Sequence, residues 1–213
     1  MMPFIVLEGC DGAGKTTLRE MLRRELEAIG HATVTVGQHS WLHPWYSRAL
    51  VAARENRRTL PPQLLREAYL HDKRLHGLRN VHPVRSKAIV IADRWFYSDA
   101  VYHAALYGIP PEDTLERHRQ AGTEVPNLLV HVAIDADCAY ERILMRGQHT
   151  RHYERPADLR RIVAGYSYLF DSGLVADTHL ITIANAAGLS ELRSCVVDTL
   201  VPAVRHALSK AQQ

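Results

Sequence analysis

Fourteen residues near the N-terminus restrict what this chain can fold into more than any other stretch: residues 4–17 read FIVLEGCDGAGKTT. A short apolar run breaks into three glycines within six residues and closes on Lys15-Thr16-Thr17, where a helical pattern begins. Strand, tight loop and helix start therefore follow one another directly. Gly9, Gly14, Lys15 and Thr16 satisfy G-x-x-x-x-G-K-[ST], a spacing with a physical basis. Residues without Cβ let successive backbone N–H groups turn inward around phosphate oxygens, and the helix N-terminus behind them adds partial positive charge. The stretch predicts a cradle for the phosphates of ATP or GTP, formed by Gly12, Ala13, Gly14, Lys15, Thr16 and Thr17. Lys15 would reach the terminal phosphates and the Thr16 hydroxyl would sit on Mg2+.

The rest of the chain supplies the βαβ context this loop needs. Leu18, Met21, Leu22, Leu26 and Ile29 recur at three- and four-residue steps, predicting a helix over 17–29 that stops at Gly30. Residues 31–37 contain ATVTV and read as a second strand, followed by a helical pattern over 41–58 and a long helix over 63–81. KAIVIA, residues 87–92, is a continuous apolar run of the kind buried on both faces of a parallel sheet. It ends in Asp93-Arg94, a charged pair where open α/β sheets bind ligands. Ser98 reads as the cap of a helix to Leu106, and a polar helix covers 112–120. Strands at 127–134 and 179–183 and helices at 136–146, 157–170 and 189–209 complete the pattern, with a polar, Arg- and His-rich loop over 147–156. Five strands alternating with helices predict a single α/β domain over residues 1–213: a five-stranded parallel sheet with helices on both faces and an Arg-rich lid at about 147–156.

Composition narrows the function classes. A net charge of +3 implies no large basic surface for nucleic acid. Three cysteines in no CxxC pattern suggest neither a disulfide framework nor a zinc site, and the 13 histidines show no ligand spacing. No apolar run reaches the roughly 18 residues of a membrane span, and no basic-then-apolar leader precedes Pro3. The expectation is a cytoplasmic protein that engages no membrane.

The phosphate loop is shared by motors, transporters, GTPases and kinases. No NKxD-like guanine motif or acidic strand-end motif of the transport ATPases is present, and the chain is short for a motor. Asp93-Arg94 and the Arg-rich loop suit phosphoryl transfer to a small acceptor, where catalysis is mainly positioning and charge neutralisation. At these residues the chain resembles the thymidylate kinases. FIVLEGCDGAGKTT is similar to that family's first strand and loop, DRWFYS with Tyr102-His103 to its DR[YF]xxS…YQ segment, and PNLLVHVAIDADCAYERILMRG to the block that leads into its lid. The resemblance implies the following roles. Asp11 holds the acceptor sugar or the metal shell, Arg94 binds the acceptor phosphate, and Asp93 organises Mg2+ or orients the attacking group. Ser98 and His103 lie on the substrate segment, and Tyr102 limits room beside the sugar 2′ position. Tyr69 stacks on the base, with Lys73 or Arg74 reaching it. Position 13 is Ala, so the loop brings no arginine to the transferred group. Arg142, Arg146, Arg151 and Arg155 are the lid candidates, Arg142 on the nucleotide and Arg146 on the phosphoryl group or stacked on adenine. A homodimer is implied as well.

One element departs from the family. Its second strand is followed by an REPGG-type turn that contacts the acceptor phosphate, whereas this chain has Gly37-Gln38-His39-Ser40-Trp41. A bidentate arginine is not replaced by a glutamine without loss of affinity, so Arg48, Arg54 or another residue of the next helix fills in, or the acceptor is not dTMP. Arg94…Tyr97-Ser98-Asp99 also resembles the ERSxxSD segment of deoxynucleoside kinases, but those place a glutamate base where Gln38 stands. The expectation is ATP- and Mg2+-dependent transfer to dTMP. A deoxynucleoside or specialised small-molecule acceptor stays open, as does a nucleotide-binding regulatory ATPase.

Overall fold

The computed structural model describes residues 1–147, 151–185 and 188–211. Strands β1 (Phe4–Glu8), β2 (Thr33–Val36), β3 (Ile89–Asp93), β4 (Leu128–Ala133) and β5 (Leu180–Ala184) form one sheet in the order β2-β3-β1-β4-β5, every pair parallel. β1 is buried along its whole length and β3 along all but Asp93, as continuous apolar runs require when helices cover both faces. The sheet order reverses around β1, which pairs Leu7 with Asp93 on one side and Glu8 with His131 on the other. The phosphate loop thus leaves β1 at a crevice between two neighbouring strand ends.

Helix α1 (Lys15–Ala28) buries Leu18, Leu22 and Leu26, one turn apart, and packs with α8 (Leu189–Cys195) and α9 (Val201–Ala211). The last two are the helix predicted over 189–209, continuous but widened by a π-helical turn at Val196–Leu200. A second group joins α4 (Phe96–Tyr107), α5 (Pro111–Gln120) and α7 (Pro156–Asp171). A small separate core of Leu50, Leu65 and Ala68 binds α2 (Pro44–Arg54) to α3 (Pro62–His76), which runs on through a π-helical turn at Gly77–Val81. Asp135 caps α6 (Ala136–Met145) by accepting from the N–H groups of Asp137 and Cys138.

Two local expectations are corrected. Helix α2 starts at Pro44 rather than at residue 41, because Trp41 sits at φ 56° and proline fits the first helical turn. Ser98 does not cap α4 but lies inside its first turn. The cap is Glu8, whose Oε1 accepts from Trp95 N (2.7 Å) and Ser98 N (3.2 Å). Among the described residues no helix is long and apolar enough to cross a membrane.

Candidate active site

The loop after β1 needs glycine for reasons of space. Gly9 and Gly12 have φ of 146° and 84°; a Cβ on Gly9 would lie 2.6 Å from the Val132 carbonyl oxygen, and one on Gly12 would collide with the carbonyl of Ala139. Lys15 folds back across the loop, donating to the carbonyls of Gly9 (3.0 Å) and Cys10 (2.8 Å). Burial, reinforced by the positive charge of Arg94, pushes its ammonium down to about 8. Gly12, Gly14, Thr16 and Thr17 face a cavity of about 850 Å3 that Arg142, Arg146 and Arg151 also line. Thr16 Oγ1 lies 3.4 Å from Asp93 Oδ2, and Arg19 Nη1 lies 3.8 Å from the same oxygen. Buried Ala13 lines no part of the cavity. Its carbonyl is held by Asn185 Nδ2 (2.7 Å), while the Asn185 carbonyl accepts from Arg142 Nη2 (2.9 Å).

Arg94 also lines this cavity, with its backbone in the left-handed region, φ 72°. Its Nη2 lies 3.1 Å from Asp11 Oδ1, and its guanidinium sits 5.0 Å over the Tyr102 ring. Tyr102 OH donates to Asp11 Oδ2 (3.0 Å), and Arg151 Nη1 approaches Asp11 at 3.7 Å. Burial disfavours a charged Asp11, but Arg94, Lys15 and Arg151 outweigh it and hold this carboxyl well below the usual range. Asp11 and Arg94 also line a second, narrow cavity of about 30 Å3, together with Tyr69, Tyr102, His103 and Tyr153. At its buried end, Asp99 Oδ1 accepts from Gln38 Nε2 (3.3 Å). Asp99 Oδ2 and His103 Nε2 have no hydrogen-bond partner among the described residues. Burial pushes Asp99 up to about 7, against the pull of Lys73.

Several sequence candidates lie elsewhere. Lys73 is fully buried, donating to the Gln38 carbonyl (2.6 Å) and lying 3.6 Å from Asp99 Oδ2, and lines neither cavity. Arg74 and Arg155 are exposed and line neither. Ser98 supports Arg94 from behind rather than facing either cavity. Of the two replacements considered for the missing turn arginine, Arg48 lines neither cavity and Arg54 lines both. The altered turn is held by Asp72, which accepts from Ser40 N (3.1 Å), from the Ser40 hydroxyl and from His39 Nδ1 (3.1 Å). Burial drives His39 down to about 4, so its ring is neutral at pH 7. Part of the predicted lid, residues 148–150, lies outside the described residues. Asn185 and Tyr166 escaped the sequence reading, the only signal being a polar residue directly after an apolar strand in the case of Asn185; Asp99 was named only as part of the ERSxxSD-like segment and given no role.

A family model described as thymidylate kinase matches residues 7–186. The chain is similar to the thymidylate kinase of Xanthomonas euvesicatoria pv. vesicatoria (strain 85-10), 32% identical over 158 residues that make up 74% of this chain and 67% of that protein. It is equally similar to the thymidylate kinase of Xylella fastidiosa (strain M12), 32% identical over 74% of this chain and 70% of the relative. With a phosphate loop at the sheet crevice, an arginine on the adjoining strand end and these matches, the chain belongs to the thymidylate kinase family.

Proposed function

We propose that the protein transfers the γ-phosphoryl group of ATP to dTMP where its two cavities meet. The observation that carries this reading is that Asp11 and Arg94 line both cavities, with Lys15 on the side of the larger one. The donor lies in the larger cavity, its terminal phosphates on the loop and Lys15, with Arg142 and Arg146 along its length. Thr16 and Asp93 offer two hard oxygen ligands close together, a donor set that suits Mg2+ completed by phosphate oxygens and water. When bound, Mg2+ would neutralise charge on the donor phosphates. Arg94 and Arg54 hold the acceptor phosphate, so Arg54 takes the place of the missing turn arginine. Arg151 reaches the same junction from the lid. The narrow cavity has room for about one water, so it must widen to admit the base, with Tyr69 flanking the ring and Asp99 and His103 meeting its hydrogen-bonding edge.

A monophosphate acceptor fits better than a nucleoside. Its attacking oxygen is already anionic near neutral pH, whereas a hydroxyl needs a base, and Gln38 at the end of β2 cannot take a proton. What remains for the protein is alignment and charge neutralisation. A homodimer accompanies this reading by family resemblance.

Calorimetric titration with dTMP and with thymidine separates the phosphate contact from the base contact. Arg94→Ala is expected to weaken dTMP binding by about tenfold or more, as for a lost charged hydrogen bond, with much less effect on thymidine. Equal losses for the two ligands would contradict the assignment.

A further inference from the structure

Behind Arg94, away from both cavities, lies a buried cluster with no place in the chemistry described so far. Glu8 is fully buried and accepts from the backbone N–H groups of Trp95 and Ser98, from the Ser98 hydroxyl and from the Tyr166 hydroxyl (3.0 Å). The two hydroxyl oxygens also lie 2.7 Å apart, so Ser98, Tyr166 and Glu8 share their protons in one network, in which each hydroxyl oxygen keeps a lone pair for a further donor. Arg94 Nη1 donates to both, at 3.2 Å from Ser98 Oγ and 3.1 Å from Tyr166 OH. Asp11 Oδ1 lies 3.1 Å from the other terminal nitrogen as an ion-pair neighbour, but Nη2 has no hydrogen-bond partner among the described residues. The guanidinium is therefore fixed at its Nη1 end before any ligand arrives, with Nη2 left to donate to one.

Tyr166 differs from its partners in where it comes from. Glu8 and Ser98 sit beside Arg94 on the sheet and on α4, but Tyr166 belongs to α7, which starts at Pro156, directly after the lid. Its hydroxyl reaches Arg94 because α7 approaches α4 closely at Gly165, where a Cβ would lie 3.1 Å from Val101 Cγ1. Any shift of α7 carries the Tyr166 hydroxyl with it. We propose that Tyr166 is a positioning residue that fixes the Arg94 guanidinium and ties the helix following the lid to the acceptor-phosphate contact, a role that rests on reading Arg94 as that contact. Tyr166 itself touches no substrate, since it lines neither cavity of the site.

The test is a double-mutant cycle read separately for dTMP and ATP. Tyr166→Phe removes one oxygen and leaves the ring in its stack with His131 and Phe170. The expected result is a rise of about tenfold in KM for dTMP, an unchanged KM for ATP, and no further effect of Tyr166→Phe in an Arg94→Ala background. A purely structural hydroxyl would shift both KM values alike, or act equally in both backgrounds, and either result overturns the proposal. If Arg94→Ala lowers activity toward dTMP while Tyr166→Phe is silent, the positioning role fails and the reading of Arg94 stands. An unchanged KM for dTMP in Arg94→Ala removes both. Should Tyr166→Phe not fold, Gly165→Ala is the second variant: it presses a methyl group against Val101 with the hydroxyl retained. It is expected to raise KM for dTMP alone, and a normal value would contradict the proposal.

Discussion

Lys15 shows how burial sets the working range of a single charge. Its folded pKa, about 8, lies below the ordinary lysine value of 10.5, so the free protein loses this charge as pH rises through 8. The unfolded chain binds the extra proton between those two values, and this group's contribution to stability therefore grows with pH across that window. ATP phosphates favour the charged form. ATP binding at pH 8.5 is accordingly expected to take up a proton in wild type and none in Lys15→Arg, as read by calorimetry in buffers of different ionisation enthalpy. Asp72 makes a second residue-scale case. It is 1% exposed and is the acceptor for three donors of the Ser40 and His39 turn, so Asp72→Ala leaves them buried and unpaired. The expected loss is about 2–4 kcal/mol of stability in urea denaturation. None of this was visible from the residues alone, because Asp72 acts on partners more than thirty positions away. Lys73 misled for a related reason. Consecutive helical residues point about 100° apart, and its face of α3 turns into the core against Asp99 instead of toward a base.

Elements were more legible than contacts. The apolar runs of β1, β3 and β4 announced buried parallel strands, and the leucine spacing of α1 announced its inner face, since both patterns are local. Cap assignment failed where it depended on tertiary structure. Ser98 has the chemistry of a cap, yet the N-terminus of α4 is buried, and the carboxylate of Glu8, ninety residues earlier, takes its N–H groups. Glu8→Ala is expected to cost about 3 kcal/mol or more, because it orphans two backbone and two side-chain donors and leaves Arg94 without that compensation. The midpoint of urea unfolding reads this directly. Leu22→Ala, which empties a fully buried position of α1, is expected to cost about 2–5 kcal/mol through the cavity it leaves.

At the scale of the whole molecule, the sheet order puts one loop, one strand end and one lid helix around a single junction. The phosphate loop, Asp93-Arg94 and the arginine-rich segment could be found in the sequence because each is a compact motif. Their assembly could not: Asp11, Arg94, Tyr102 and Tyr166 come from four different segments, and only the packing of α4 and α7 against β1 and β3 makes them neighbours. The separate packing of α2 on α3 brought Arg54 to both cavities, while Arg155 at the start of α7 was left outside, a choice that composition could not make. Phosphoryl transfer at that junction is tested most directly by incubating the protein with ATP, Mg2+ and dTMP and separating the nucleotides over time. The account predicts dTDP and ADP appearing in equal amounts in wild type and neither in Lys15→Ala; ADP formed at the same rate without dTMP, or dTMP left unchanged while ATP is consumed, would contradict it.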